Sequence, residues 1–116
     1  MLVKSTAVIE LTKKEMYFAS GVVEAVFADI GLSPVITSGS DSVHMRQSLH
    51  AIGQALDYRT KHIPLLTKDF VIKTIKKILE PLGFDVLLRD AGKDNEHLHI
   101  EFQPKGTEVI FIRQTT

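Results

Sequence analysis

Apolar residues recur at mostly helical intervals in the first third of the chain. Thr12 and Glu15, just before this stretch, have the spacing of a capping box, and Gly31 follows it. The pattern predicts a helix over roughly residues 12 to 30.

A second helical pattern begins near Thr67 and Asp69, either of which can cap a helix, and it ends at Pro81 and Gly83. Its apolar stripe is predicted to face the core and comprises Phe70, Val71, Ile75, Ile78, Leu79 and Leu82. Its polar face is predicted to be solvated and carries Lys68, Lys73, Lys76 and Lys77.

Shorter stretches of β-branched or alternating residues predict strands. They are Val35 to Thr37, Gln54 to Arg59, Phe84 to Arg89 and His97 to Phe102. The last two strands flank a polar turn and are expected to form an antiparallel hairpin. Thr107 to Arg113 is either a further edge strand or a loosely packed tail. The pattern predicts an α+β fold, with two helices packed on one face of a small, mainly antiparallel sheet, as one domain over residues 1–116.

Strand alternation places chemically useful side chains on one face of this sheet. Asp57 and Arg59 share a face of their strand, and their apolar neighbours point the other way. In the last strand of the hairpin His97 and His99 share a face, whereas Leu98 points into the core. The sequence therefore predicts two imidazoles on the polar face of the sheet.

Composition excludes some partners. Fourteen Lys plus Arg residues balance fourteen Asp plus Glu residues, so no global field favours nucleic acid or an anionic lipid surface. No apolar run is long enough to span a membrane, and the first residues do not have the pattern of a signal peptide. We therefore expect a protein that is cytoplasmic when made, with later release to the cell wall or periplasm left open. The oligomeric state is also left open.

His50, Asp57 and His99 offer two imidazoles and a carboxylate, with Glu96 nearby. The chain has no cysteine, and a closed structural zinc site usually takes four protein ligands, often thiolates. Three such ligands leave a fourth position open for water, as in catalytic zinc sites. Spacing alone does not establish that these residues converge, and the same ligands accept other divalent ions besides zinc.

Two motifs carry a resemblance to a known family. Residues Ser48 to Asp57 follow the pattern S-x-H-x-x-G-x-A-x-D, and Glu96 to His99 combine E-x-x-H with H-x-H. The chain resembles the zinc peptidases of the D-alanyl-D-alanine carboxypeptidase and hedgehog amino-terminal domain superfamily, in which small single-domain members include phage endolysins. The resemblance implies a hedgehog-like or DD-peptidase-like fold around Zn²⁺.

The same resemblance implies roles for individual residues. The metal ligands would be His50, Asp57 and His99. Glu96 would be the general base for a zinc-bound water, and His97 would stabilise the transition state. Glu101 is either a solvated strand carboxylate or a rival for the role of base.

The chain departs from the family at the substrate-gripping arginine. Many carboxypeptidase members place this arginine shortly after a strand ending in Ser-Gly, but here Ser38 and Gly39 are followed by Ser40 and Asp41. An arginine elsewhere in the chain can take the place of this one, because a guanidinium group pairs a carboxylate in a bidentate way. The candidate substrate-binding residues are Arg46, Ser48, His44 and Arg59, and for His44 an ordinary exposed loop position is an equal alternative.

The leading hypothesis is a zinc-dependent peptidase that hydrolyses a peptide bond in peptidoglycan stem peptides, as a DD-carboxypeptidase or an L-alanyl-D-glutamate endopeptidase. The sequence leaves the scissile bond open. The alternative is a non-catalytic zinc-binding interaction domain of the hedgehog type, which the missing arginine favours and the presence of Glu96 disfavours. A metal-free α+β domain is the third possibility.

Overall fold

The computed structural model describes residues 1–4, 7, 13–39 and 54–103. This part of the chain contains five strands and two helices, with a short 3₁₀ turn after the second helix. The strands are β1 (Leu2–Val3), β2 (Val35–Ser38), β3 (Ala55–Arg59), β4 (Phe84–Arg89) and β5 (His97–Phe102). The helices are α1 (Lys14–Ala28) and α2 (Leu65–Leu79), and the 3₁₀ turn is Glu80–Leu82. The α+β class is therefore confirmed.

The sheet is mixed, so the prediction of a mainly antiparallel sheet is wrong. Its strand order is β1-β2-β3-β5-β4, and β1 pairs in parallel with β2. A parallel pair needs a crossover connection, and α1 lies between β1 and β2 in the chain. The remaining three pairings are antiparallel, including the predicted β4–β5 hairpin. The two-residue β1 has no recognisable sequence pattern and was not predicted.

Both helices exist, but their first residues differ from the predicted ones. Helix α1 begins at Lys14 without a side-chain cap, and Thr12 lies outside the described residues. Helix α2 begins at Leu65 with Pro64 at its N-cap position, so Thr67 and Asp69 lie inside the helix and do not cap it. Proline has a restricted backbone and no N–H to satisfy, which explains why a helix begins directly after it.

The turn signals after α2 are confirmed. Gly83 ends the 3₁₀ turn with a φ of 97°, a left-handed conformation that favours glycine. In the turn between β4 and β5, Asp90 and Gly92 also have positive φ values, of 53° and 81°. The turn at Gly83 sets where β4 begins, and the turn at Asp90 and Gly92 lets β5 pair with β4.

The helices pack together on one face of the sheet and enclose the core. The core side chains come from both helices and from one face of β2, β3, β4 and β5; they include Met16, Val23, Phe27, Val71, Ile75, Leu56, Val86, Leu98 and Ile100. Three residues predicted to belong to the apolar stripe of the second helix are exposed instead: Phe70 by 64%, Ile78 by 41% and Leu82 by 52%. No helix in the described part of the chain is both long and apolar enough to cross a membrane.

One polar contact crosses this core. The hydroxyls of Ser20 on α1 and Tyr58 on β3 are 2.6 Å apart, and both residues are buried. Burial raises the pKa of the Tyr58 phenol far above its ordinary value, so this hydroxyl stays neutral. The hydrogen bond links α1 to the strand that carries Asp57.

We predict that Tyr58→Phe lowers the free energy of unfolding by about 1–2 kcal/mol, because it leaves the buried Ser20 hydroxyl without its partner. Urea unfolding of Tyr58→Phe, Ser20→Ala and the double variant measures this effect. The double variant should lose less stability than the sum of the two single variants. Strict additivity would show that the hydrogen bond contributes nothing.

Candidate metal centre and its pocket

The candidate site lies on the face of the sheet opposite the helices. Strands β3 and β5 pair so that Asp57 is opposite His99 and Arg59 is opposite His97. The same side chains alternate with core residues along each strand, as the sequence predicts. Two antiparallel strands therefore bring together a carboxylate and an imidazole that are 42 residues apart.

His99 is held between two carboxylates. Its Nδ1 is 2.8 Å from Asp57 Oδ1, and its Nε2 is 2.7 Å from Glu101 Oε1. Burial lowers the pKa of His99, but its hydrogen bonds to the Asp57 and Glu101 carboxylates outweigh burial, and the net pKa is raised. When both ring nitrogens carry a proton, the imidazolium donates one hydrogen bond to each carboxylate. We call this line of three side chains the Asp57–His99–Glu101 row.

His97 lies next to the row. Its Nδ1–H donates to the backbone oxygen of Asn95 at 2.8 Å, which orients the ring. Its Nε2 is 3.8 Å from Asp57 Oδ2, a distance at which the charges attract when the imidazole is protonated. The structure thus brings His97, His99 and Asp57 together, which spacing in the sequence alone did not establish.

Glu96 points differently from the two histidines. Its carboxylate accepts hydrogen bonds from Lys68 Nζ at 2.7 Å, from the Thr60 hydroxyl, and from the backbone N–H of Gly92 at 3.0 Å. Burial alone raises the Glu96 pKa, but the bonds from Lys68, Thr60 and Gly92 outweigh it and lower the pKa to about 2. In this structure the predicted base therefore contacts α2 and the hairpin turn.

A cavity of about 310 Å³ opens beside this cluster. It is lined by Asp57 of β3, by His97 of β5 and by Glu96 directly before that strand. Cationic side chains line it as well, and they are Lys4, Arg59 and Lys61. Lys61 forms an ion pair at 3.1 Å with Asp94, another lining residue. The cavity thus combines one candidate metal ligand, Asp57, with cations suited to an anionic group.

Four predicted site residues cannot be placed. His50, the third predicted ligand, and His44, Arg46 and Ser48 lie outside the described residues. Within residues 1–4, 7, 13–39 and 54–103, no group of three or more metal-ligating side chains is close enough to hold an ion. Of the predicted metal ligands and catalytic residues, the structure brings Asp57, His99 and His97 together.

Sequence reasoning missed the contacts of Lys68. This lysine was predicted to lie on the solvated face of α2, but its side chain is only 15% exposed and is paired with Glu96. Thr60, which directly follows β3, was also missed as a donor to this carboxylate. Nothing in the local pattern marks either residue, because the contacts depend on how α2 packs against the hairpin turn.

We predict that Glu96→Gln lowers the free energy of unfolding near pH 7 by about 2–3 kcal/mol, because it removes the negative charge that Lys68 pairs with. The folded pKa of about 2 lies below the ordinary 4.5, so the ionised carboxylate stabilises the fold above that ordinary value. This contribution is lost as the pH falls towards the folded pKa, and Glu96→Gln should remove that part of the acid dependence. Urea unfolding at several acidic pH values measures it.

The matched control is Asp94→Asn, which removes a carboxylate from an exposed ion pair in the same hairpin turn. It should change stability little, because exposed pairs are screened by water. Equal effects of the two substitutions would show that the contacts of Glu96 with Lys68 and Thr60 are unimportant.

Comparison with known proteins assigns no family. No family model matches the chain, and no curated protein sequence matches it. The function must therefore be argued from the two motifs and from the geometry of Asp57, His97, His99 and the cavity beside them.

Proposed function

We propose that the chain is a zinc-dependent peptidase acting on peptidoglycan stem peptides, with His50, Asp57 and His99 as the metal ligands. One observation carries the proposal. Asp57 and His99 end the two sequence motifs, and the β3–β5 pairing places their side chains 2.8 Å apart beside a cavity. A motif resemblance that had arisen by chance would not require these two residues to meet.

The chemistry of the donors fits a zinc ion. An aspartate oxygen and an imidazole nitrogen are both common zinc ligands. The two atoms face each other, and the second ring nitrogen of His99 is held by a carboxylate, as is usual for metal-binding histidines. His50 is the third proposed ligand on the strength of the motif. Bound zinc would lower the pKa of a water molecule and polarise the peptide carbonyl.

His97 is proposed to stabilise the oxyanion that forms when the carbonyl is attacked. Its Nδ1–H is already used by the Asn95 backbone oxygen, so its Nε2 can donate only in the imidazolium form. That nitrogen lies 3.8 Å from Asp57 Oδ2, on the side of the proposed ligands. His97 also lines the cavity, where a bound peptide would lie.

Glu96 remains the proposed general base because it lines the cavity beside His97. The bonds from Lys68, Thr60 and Gly92 keep its carboxylate ionised, which is the form that accepts a proton. To take a proton from water, the carboxylate must exchange one of these bonds for a bond to that water. Its low pKa makes it a weak base in the observed arrangement.

The low pKa of Glu96 favours a second candidate function, a non-catalytic zinc-binding interaction domain. A carboxylate with a pKa of about 2, held by Lys68 and Thr60, is suited to stabilising the hairpin. In that case the same ligands would bind metal, but no peptide bond would be cleaved.

Arg59 is the proposed substrate-binding residue among the described ones. It follows Asp57 on the same face of β3, lies opposite His97 and lines the cavity. A guanidinium at this position can pair a carboxylate of an acidic stem peptide. Lys4 and Lys61 add positive charge to the same cavity.

We predict about one zinc per chain in purified wild-type protein and its loss in His50→Ala and His99→Ala, because each substitution removes a ligand. Elemental mass spectrometry measures the metal, and release of peptide fragments from purified peptidoglycan measures activity on the same samples. His62→Gln, which removes a histidine outside the site, is the control and should keep its zinc. Zinc without hydrolysis would support the interaction domain, and no zinc would contradict both candidate functions.

We also predict that Arg59→Ala lowers kcat/KM on a peptidoglycan peptide about 10- to 100-fold, mainly through KM, because it removes a charged contact to the substrate. The control is Arg89→Ala, since Arg89 lies on the other side of His97 in β4 and is not among the residues that line the cavity. Steady-state kinetics on both variants test the assignment. Equal losses of kcat/KM in the two variants would show that substrate binding depends on the general positive charge and not on a contact by Arg59.

A further inference from the structure

We infer that Glu101 is a positioning residue that determines which ring nitrogen His99 presents to the metal. The inference rests on the proposed function, because it concerns the same metal centre. It assigns to Glu101 a role different from that of a rival base or a solvated strand carboxylate.

The inference starts from the two contacts of the His99 ring. Asp57 Oδ1 is 2.8 Å from Nδ1, and Glu101 Oε1 is 2.7 Å from Nε2. A neutral imidazole carries one N–H and one lone pair, on different nitrogens, and an ionised carboxylate only accepts hydrogen bonds. When Glu101 accepts the proton of Nε2, the lone pair of His99 is on Nδ1 and points towards Asp57.

The two ends of the row differ in their surroundings, and this difference identifies the ligand end. Asp57 lines the cavity and approaches His97, so the candidate site residues converge at the Nδ1 side of His99. Glu101 is not among the residues that line the cavity, and Ala55, opposite it in β3, is fully buried. Asp57 and Nδ1 are therefore assigned to the metal, and Glu101 and Nε2 to its support.

Strand geometry makes Glu101 an effective support. Residues two apart on a strand share a face, so Glu101 and His99 stand side by side on β5. Pairing with β3 and β4 on both sides holds their backbone in place. A carboxylate that accepts the second N–H of a ligating histidine fixes the ring and makes it a better ligand, and losing such a partner typically costs about 10- to 100-fold in metal affinity.

Zinc affinity tests the inference. Zinc is titrated into the full chain in competition with a chromophoric chelator, for wild type, Glu101→Gln and Glu101→Leu. Glu101→Leu should bind zinc about 10- to 100-fold more weakly, because it cannot accept the Nε2 proton. The zinc affinity of Glu101→Gln should lie between those of wild type and Glu101→Leu, because the amide oxygen still accepts this hydrogen bond but carries no charge.

The matched control is Asp85→Asn. Asp85 pairs with Glu101 across the hairpin and is exposed on the same face, so this substitution removes a nearby negative charge and leaves the His99 contact in place. Its zinc affinity should stay within about threefold of wild type, because an exposed charge acts through water. A loss equal to that of Glu101→Leu would overturn the inference in favour of a general charge effect.

Nitrogen-15 NMR of the imidazole in zinc-loaded wild type supplies a readout that needs no variant. The expected pattern is a proton on Nε2 of His99 and a metal-shifted Nδ1. A metal-shifted Nε2 would overturn the inference, and so would equal zinc affinities of Glu101→Leu and wild type. Wild-type protein that takes up no zinc would instead refute the proposed function, and the inference with it, whereas zinc uptake without hydrolysis leaves only the peptidase activity refuted.

Discussion

The pairing register of β3 and β5 is the constraint on which the candidate site depends. It sets Asp57 opposite His99 and Arg59 opposite His97, and it leaves Leu56 and Tyr58 on the core face with Leu98 and Ile100. A slip of one residue would turn every one of these side chains to the other face. Burial of the apolar residues under the two helices therefore also enforces the position of the candidate ligands.

The two faces of the sheet are connected at the start of β5. Glu96 precedes the strand, and its carboxylate bonds to Lys68 of α2, to Thr60 after β3 and to the hairpin turn at Gly92. Three separate segments thus meet at one buried charge directly before His97. A buried ion pair is costly to desolvate, so its main effect here is to fix where these segments lie relative to one another. The same contacts that orient the hairpin also make Glu96 a weak base.

Sequence patterns predicted the elements nearest the site well. The bounds of β4 and β5 follow from alternation on either side of a polar turn, and the shared face of Asp57 and Arg59 follows from the same period of two. The parallel pairing of β1 was not predictable, because two residues, Leu2–Val3, contain no period. The contact of Lys68 was missed for another reason, since the exposure of a helical lysine depends on which segment packs over it.

The Asp57–His99–Glu101 row shows how the proposed metal site and an ordinary apolar core can share one sheet. The core consists of apolar residues, and all three members of the row lie outside it. In small structural zinc domains the metal instead supplies most of the folding free energy. A proton on His99 and a divalent cation beside Asp57 are alternative ways to balance the negative charge of Asp57 and Glu101. A metal ion displaces protons from the side chains that bind it. A core built from other residues therefore fits the proposed metal as one used for chemistry or recognition rather than for folding.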